Sequence, residues 1–201
     1  MQVSFLILFS FFLGALPFSV WLGKLVLKQD VRDYADGNPG ATNVFRAGNN
    51  YLGLLVLMLD ISKAAAPVGW ANAHLNLGLL PPFCISVAPM LGHAYSPFLK
   101  FRGGKALATV LGVWIGLTLW KVSIPAVLGA VIGIAIFTSA GWAVMLGLLF
   151  VLLTLLFWLP DPLFFAVWGF QVILLVWKHR DDLKQAPKFR SWVSKKSESG
   201  S

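Results

Sequence analysis

The chain has 201 residues, of which 58% are hydrophobic and 12% charged, and its formal net charge is +8. Soluble domains average about 45–50% apolar and about 25% charged residues, so a soluble enzyme, a disordered chain and a disulfide scaffold are excluded. Cys84 is the single cysteine and cannot form an internal disulfide. We interpret the positive charge as a signal of membrane topology rather than of nucleic-acid binding.

Hydropathy predicts an all-α polytopic membrane protein with seven transmembrane helices. In chain order the predicted spans are Val3–Leu27, Tyr51–Trp70, Leu77–Ala94, Ala106–Trp120, Val122–Thr138, Gly141–Trp158 and Pro160–Trp177. The last four form one apolar run, which must be divided because a single helix of that length would far exceed the thickness of a bilayer. We place the breaks at Lys121, at residues 138–141 and at residues 159–161.

The basic residues predict the orientation of these spans. Three segments that would share one side of the membrane hold thirteen lysines and arginines: residues 28–50, residues 95–105 and the tail after Trp177. The segments on the other side hold only Lys121. By the positive-inside rule, the N-terminus lies outside and the C-terminus lies in the cytoplasm.

The first cytoplasmic segment, residues 36–46, is rich in glycine and small polar residues. A sharply turned loop of this kind can direct backbone N–H groups at one anion, and an arginine can add a bidentate partner for phosphate. The candidate binding residues are Asp36, Gly37, Asn38, Gly40, Ala41, Thr42, Asn43 and Arg46. The alternative is a turn-rich loop whose arginine only sets topology.

The second cytoplasmic segment contains Gly92-His93 and ends in Gly103-Gly104-Lys105, immediately before a predicted helix. Free N–H groups of the Gly-Gly-Lys segment, a positive helix end and a lysine together favour anion binding, so His93, Gly103, Gly104 and Lys105 are candidate binding residues. The spacing is not that of a nucleotide P-loop. The alternative is a turn with charges that set topology.

Further polar residues lie in or near the predicted spans. His179, at the cytoplasmic end of the last span, is either an anion-binding group or an ordinary interfacial residue. Asp60 and Lys63 share one face of the second span, where they either pair with each other or contact a substrate. Lys24 either extends to the cytoplasmic surface or points into a site.

The sequence lacks the residue patterns of several common enzyme active sites. The sequence has no G-x-S-x-G elbow and no H-x-x-x-x-D pair, and its three histidines are not spaced as metal ligands. Basic, glycine-rich segments without an evident nucleophile favour a protein that handles two phosphates over a hydrolase. We therefore expect no cofactor and no metal.

Five motifs in order resemble the PlsY family of bacterial glycerol-3-phosphate acyltransferases, over the chain up to about Leu183. The most specific is the loop Gly37–Arg46, which is similar to the family's G-N-x-G-A-T-N-x-x-R. The others are Gly14-Ala15-Leu16-Pro17 with Lys24, Leu59-Asp60-Ile61-Ser62-Lys63, Gly92-His93 with Gly103-Gly104-Lys105, and His179-Arg180.

The resemblance implies transfer of an acyl group from acyl phosphate to the 1-hydroxyl of glycerol 3-phosphate, which yields lysophosphatidic acid, the first step of phospholipid synthesis. It implies a multi-pass protein of the bacterial inner membrane with its active site facing the cytoplasm. It also implies that Arg46, Lys105 and His179 hold phosphate groups and that the Gly37–Asn43 backbone cradles the donor's phosphate.

The sequence departs from the family pattern at two positions. Ala35-Asp36 stands where the family usually has a serine before Gly-Asn, and Asp182 stands where the closing H-R-x-N has asparagine. Both aspartates are candidate substrate-binding residues by their place in these motifs. A carboxylate at position 36 is expected to repel phosphate. We predict one acyltransferase domain over residues 1–183 and a basic cytoplasmic tail over residues 184–201 that ends in a linker remnant.

Two other functions remain open at this stage. A carrier for small phosphorylated solutes would use the same basic segments as a cytoplasmic vestibule, although carriers bind their substrates near the bilayer midplane. A structural membrane subunit would leave the glycine-rich loop without a purpose. The expected partners are acyl phosphate, glycerol 3-phosphate and membrane lipid, and no nucleic acid.

Overall fold

The structure, a computed structural model, describes residues 2–76 and 78–192. Within these ranges it is all-helical, and a lone antiparallel bridge between Phe137 and Phe189 is the nearest approach to a sheet. The α-helices are α1 Gln2–Ala15, α2 Phe18–Leu22, α3 Ala41–Arg46, α4 Asn50–His74, α5 Leu80–Ala94, α6 Leu107–Thr118, α7 Trp120–Ile136, α8 Ala140–Phe157, α9 Pro162–Lys178 and α10 Arg180–Leu183. The predicted fold class is therefore confirmed in its helical character.

Three helical segments of the described ranges are long and apolar enough to cross a membrane: Gln2–Leu27, Asn50–His74 and Ala140–Phe157. Large apolar side chains on their outer faces are exposed, as lipid contact requires, for example Phe5, Leu8, Leu54, Leu55 and Leu153. Leu107–Thr118, Trp120–Ile136 and Pro162–Lys178 are shorter apolar helices. The seven spans and the orientation of the termini stay predictions.

The first predicted span is interrupted at Pro17. Helix α1 ends at Ala15, α2 begins at Phe18, and a π-helical turn over Gly23–Leu27 completes the segment. Because proline has no N–H and its ring clashes with the preceding turn, it breaks the hydrogen-bond ladder of a helix. The break leaves the carbonyls of Ala15 and Leu16 available for side-chain donors.

Two of the three predicted breaks in the apolar run are confirmed. Helix α7 ends at Ile136 and α8 begins at Ala140, while α8 ends at Phe157 and α9 begins at Pro162. The third break also exists, but its predicted position at Lys121 is wrong by two residues: the chain turns at Leu119, whose φ is 55°, and Lys121 lies in the first turn of α7. Lysine is a good helix former, so its charge alone does not end a helix.

The chain forms two compact units, residues 1–117 and residues 118–201. In the first unit α1 packs against α4 and α5, and α3 packs against α4. Helices α1 and α5 approach closely because each carries a glycine at the contact. A Cβ on Gly14 would lie 2.3 Å from the Pro89 carbonyl oxygen, and one on Gly92 would lie 2.1 Å from that of Phe11. Small residues of this kind let membrane helices pack backbone to backbone.

In the second unit α8 packs against α7 and α9, and the chain after α10 returns to the end of α7. The N–H of Thr138 donates to the Lys188 carbonyl at 3.0 Å, and the N–H of Arg190 donates to that of Ile136 at 2.9 Å. The first part of the predicted tail thus packs on this unit. The predicted linker remnant, residues 197–201, lies outside the described residues.

Candidate functional site

The loop over residues 34–43 folds around the side chain of Asn43, which is 1% exposed. Its amide nitrogen lies 2.9 Å from the carbonyl oxygens of Tyr34 and Asn38 and 3.3 Å from the Asp36 carboxylate. We predicted Asn43 as a substrate-binding residue. The structure directs the side-chain amide donors into the loop itself, so this side chain holds the loop in shape, and the predicted role of the residue in substrate binding stays a prediction.

Two residues of this loop adopt left-handed backbone conformations, Ala35 with φ 49° and Gly37 with φ 69°. Glycine enters this region without strain, whereas alanine does so at an energetic cost. The turn leads through Gly40 into α3, which begins at Ala41. The N–H groups of Ala41 and Thr42 have no acceptor among the described residues, so both remain available to an anion.

Lys105 meets this loop through both its side chain and its backbone. Its Nζ lies 3.0 Å from Asp36 Oδ2, and its backbone N–H donates to Asn38 Oδ1 at 2.9 Å. Partial burial favours the neutral form of Asp36, but hydrogen bonds from Lys105, the Asn38 N–H and Asn43 outweigh it, so the pKa of this carboxyl lies below its usual value. The negative charge expected to repel phosphate is therefore paired with a lysine.

Gly103 and Gly104 allow the segment before α6 to pack directly on His93. A Cβ on Gly103 would lie 2.0 Å from the His93 carbonyl oxygen, and one on Gly104 would lie 2.3 Å from His93 Nε2. The Gly104 N–H donates to the His93 carbonyl at 3.0 Å. The expectation of free N–H groups thus differs from the structure at Gly104 and Lys105, whose N–H groups bond within the protein.

Arg46 is the last residue of α3, and its side chain is exposed. Within the described ranges no hydrogen bond or ion pair engages its guanidinium. A guanidinium in this state can bind a phosphate in a bidentate manner without first giving up a protein partner.

Behind the loop, Asp60, Lys63 and His93 form a buried polar cluster between α4 and α5. Lys63 Nζ lies 2.6 Å from Asp60 Oδ1 and 2.9 Å from His93 Nδ1. The sequence indicated the pairing of Asp60 with Lys63 as one of two possibilities, and the structure confirms that the two side chains pair. The contact to His93 was missed, because nothing in the spacing of residues 60 and 93 signals it.

The two remaining predicted site residues belong to the second unit. His179 is 1% exposed, and its Nδ1 lies 2.9 Å from the Leu175 carbonyl oxygen, so Nδ1 carries a proton directed at that acceptor. Asp182 is half-buried, and its backbone carbonyl accepts from the Ser139 hydroxyl at 3.4 Å. The His179 side chain is thus buried within the second unit.

In the part of the chain that the structure describes, no group of three or more histidine, cysteine, aspartate or glutamate side chains is arranged to hold a metal ion. The groups found at the loop over residues 36–46 of the first unit are instead suited to anions: one exposed arginine, one lysine paired with a carboxylate and two free N–H groups. Such a set of donors suits a phosphate-bearing molecule.

The sequence matches the family model described as glycerol-3-phosphate acyltransferase over residues 4–188. A glycerol-3-phosphate acyltransferase of Aromatoleum aromaticum is 42% identical over 120 residues, which span 60% of this chain and 60% of that protein. The chain thus matches less than two thirds of the length of that relative. One of Lactococcus lactis subsp. lactis is 30% identical over 205 residues and matches across 92% of this chain and 90% of its own length.

The fold is similar to crystal structures of PlsY (YgiH), an integral membrane glycerol 3-phosphate acyltransferase. The glycerol 3-phosphate form has a TM-score of 0.82 at 28% identity and covers 92% of this chain and 91% of that chain. The lysophosphatidic acid form has a TM-score of 0.78 with the same coverage. The chain is thus a helical membrane protein.

Proposed function

The chain belongs to the glycerol-3-phosphate acyltransferase family, and from this we propose that it transfers a fatty acyl group from acyl phosphate to the 1-hydroxyl of glycerol 3-phosphate. The products would be lysophosphatidic acid and inorganic phosphate. The observation that carries this proposal is the set of anion-binding groups at the loop, Lys105 and Arg46 above all. The choice of acyl phosphate as donor rests on the resemblance of the loop and lysine motifs to the PlsY family.

The proposed reaction proceeds without a covalent intermediate on the protein. The glycerol hydroxyl oxygen attacks the carbonyl carbon of the acyl phosphate, the bond from that carbon to the phosphate oxygen breaks, and phosphate leaves with the electron pair. We propose that a phosphate oxygen of bound substrate accepts the hydroxyl proton, since the Asp36 carboxylate at the loop is paired with Lys105 and its lowered pKa makes it a weak base. The protein's task is then to position two anionic substrates and neutralise their charge.

We propose a separate role for each phosphate-binding group. Arg46 binds a substrate phosphate directly, and the N–H groups of Ala41 and Thr42 contribute to the cradle for the donor's phosphate. Lys105 turns from the Asp36 carboxylate toward the substrate, or binds both at once. By the resemblance, His179 also holds a phosphate group. The mechanism requires no metal or cofactor.

The membrane setting follows from the same proposal. We place the protein in the bacterial inner membrane with seven spans, an external N-terminus and a cytoplasmic active site. The distribution of thirteen basic residues to one side supports this orientation. Residues 1–183 would form the acyltransferase domain and the basic segment from residue 184 a cytoplasmic extension.

A direct assay tests the function. The purified protein in detergent or nanodiscs is incubated with palmitoyl phosphate and radiolabelled glycerol 3-phosphate, and labelled lysophosphatidic acid and released phosphate are both measured. Equal amounts of the two products are expected, with acyl-coenzyme A as the control donor. Uptake of unmodified glycerol 3-phosphate into proteoliposomes without phosphate release would instead identify a carrier.

The proton acceptor has its own test. If substrate phosphate takes the proton, the pH dependence of kcat follows ionisation of the bound substrate and survives each single substitution at the loop. A clean titration step that one substitution abolishes, with substrate binding intact, would assign the base to that side chain.

A further inference from the structure

The Lys63 ammonium lies in the interior of the first unit, where charged groups are costly unless paired. The side chains of Lys63 and Asp60 are 2% and 3% exposed, and their charged atoms lie 2.6 Å apart. Asp60 Oδ1 has no well-aligned hydrogen bond, so this contact is chiefly electrostatic. Lys63 Nζ also donates to the Leu16 carbonyl at 3.0 Å, one of the acceptors released by the break at Pro17.

The third group in contact with Lys63 Nζ is the His93 imidazole, and this contact sets the protonation state of the ring. An ammonium group has donors only, so His93 Nδ1, at 2.9 Å from Lys63 Nζ, acts as acceptor. The imidazole is then neutral, with its proton on Nε2. The ring is fixed in orientation by Lys63 on one edge and lies against Gly104 on the other, where Nε2 occupies the space that a side chain at position 104 would need.

His93 in turn holds the segment that carries Lys105. The backbone carbonyl of His93 accepts from the Gly104 N–H at 3.0 Å, and the Lys105 N–H donates to Asn38 Oδ1 at 2.9 Å. The Lys105 ammonium then lies 3.0 Å from the Asp36 carboxylate. A continuous series of contacts therefore runs from the buried ion pair through His93 to the lysine at the loop.

We propose that Asp60, Lys63 and His93 are positioning residues that fix the Gly103–Lys105 segment, and through it the Lys105 ammonium, at the loop over residues 36–43. The proposal rests on the proposed function for its effect on turnover, but not for its effect on Lys105 itself. Buried ion pairs are often no more stabilising than apolar residues of the same volume. In this protein the lysine of the buried pair also holds the His93 ring against the Gly103–Lys105 segment. Apolar side chains could not orient the ring in this way, because they offer it no hydrogen bond.

Two substitutions of His93 separate positioning from packing. His93→Asn places an amide oxygen near the position of Nδ1 and keeps an acceptor for Lys63, whereas His93→Leu has similar volume and no acceptor. We expect His93→Leu to lower kcat/KM by about tenfold, the size of a lost hydrogen bond to a charged group. His93→Asn restores most of that loss. Ser86→Ala, in the buried face of the same helix α5, is the matched control and leaves kcat/KM unchanged.

The reactivity of Lys105 gives a readout that is independent of turnover. Reductive methylation by formaldehyde and borane is followed by mass spectrometry, with exposed Lys121 as internal reference. Lys105 labels slowly in the wild-type protein because Asp36 holds its ammonium, and several-fold faster in His93→Leu but not in His93→Asn. Asp36→Asn, which removes the carboxylate that pairs with Lys105, gives the reference labelling rate for loss of this ion pair.

If His93→Leu does not fold, the double variant Asp60→Asn/Lys63→Met takes its place, since it leaves no unpaired charge in the interior. Faster labelling of Lys105 in that variant supports the proposal, also when the wild-type protein forms no lysophosphatidic acid and the proposed function itself fails. Unchanged labelling in every foldable variant overturns the proposal. So does an equal effect of His93→Asn and His93→Leu, which would show that the site only requires bulk.

Discussion

Two of the lysine–aspartate pairs in the first unit have opposite surroundings. Lys105 and Asp36 lie 3.0 Å apart with side chains 25% and 45% exposed, whereas Lys63 and Asp60 lie 2.6 Å apart with side chains 2% and 3% exposed. Water competes for the first pair, so its attraction is weak and its partners can be exchanged. The second pair has no such alternative, because either charge left alone in the interior would be strongly unfavourable.

This difference in exposure suits the two lysine–aspartate pairs to different roles. A pair that opens at little energetic cost can release its lysine to a phosphate and close again when the product leaves. A pair that cannot open provides a fixed point for the groups around it. We therefore propose that the exposed pair serves substrate binding and that the buried pair serves as a fixed structural support for it.

The largest effect is expected from breaking the buried pair. Lys63→Met alone leaves the Asp60 carboxylate unpaired in the interior, and we expect the free energy of unfolding to fall by about 3 kcal/mol. Asp60→Asn/Lys63→Met removes both charges and recovers most of this loss. Thermal unfolding in detergent, followed by circular dichroism, measures the difference. Equal destabilisation by the single and the double variant would contradict the view of a charge pair.

Loss of the exposed lysine is expected to affect turnover far more than stability. Lys105→Ala removes a charge-assisted contact to phosphate, and we expect kcat/KM to fall by more than about tenfold. The free energy of unfolding changes by at most about 1 kcal/mol, because the pair with Asp36 is partly exposed. The acyl phosphate assay and thermal unfolding measure the two effects on the same sample. Normal turnover in Lys105→Ala would remove this residue from the site.

Arg46 extends the comparison to a cation with no protein partner in the described ranges. Arg46→Ala is expected to lower turnover by more than about tenfold by the loss of a bidentate phosphate contact, with no measurable change in unfolding. Arg46→Lys keeps the charge but not the bidentate geometry and should recover only part of the activity. A melting temperature that falls along with the activity would point to a structural role instead.

The smallest effect is the pH dependence of the exposed pair. Because the pKa of Asp36 is lowered in the folded protein, its contribution to stability is complete above the ordinary carboxyl pKa of about 4 and is lost as the pH falls through the lowered value. Its size is at most about 1 kcal/mol for so exposed a pair. Unfolding of the wild-type protein and of Asp36→Asn, compared between neutral and acidic pH, isolates it. The stability gap between the two proteins should close as the pH falls.

Local sequence signals predicted much of the fold and part of the site. The break before α9 follows from Pro160 and Pro162, and the structure shows Asp161 accepting from the Leu163 N–H at 2.7 Å as the helix cap. The turn at Leu119 was missed because a leucine with positive φ has no signature in the sequence. The sequence did not show that the Asn43 side chain braces the loop, because only the fold reveals which carbonyl oxygens surround its amide.

The sequence by itself determined that this is an apolar helical protein and that its cations collect in a few polar segments, and it predicted a phosphate site at one glycine-rich loop. Each of these follows from composition or from spacing along a short stretch of chain. Only the tertiary structure decided that Lys105 pairs with Asp36 and that Lys63 holds His93, since these partners lie far apart in the chain. Their meeting depends on how closely α1, α4 and α5 pack, and that is set by shape at glycine contacts rather than by any local pattern.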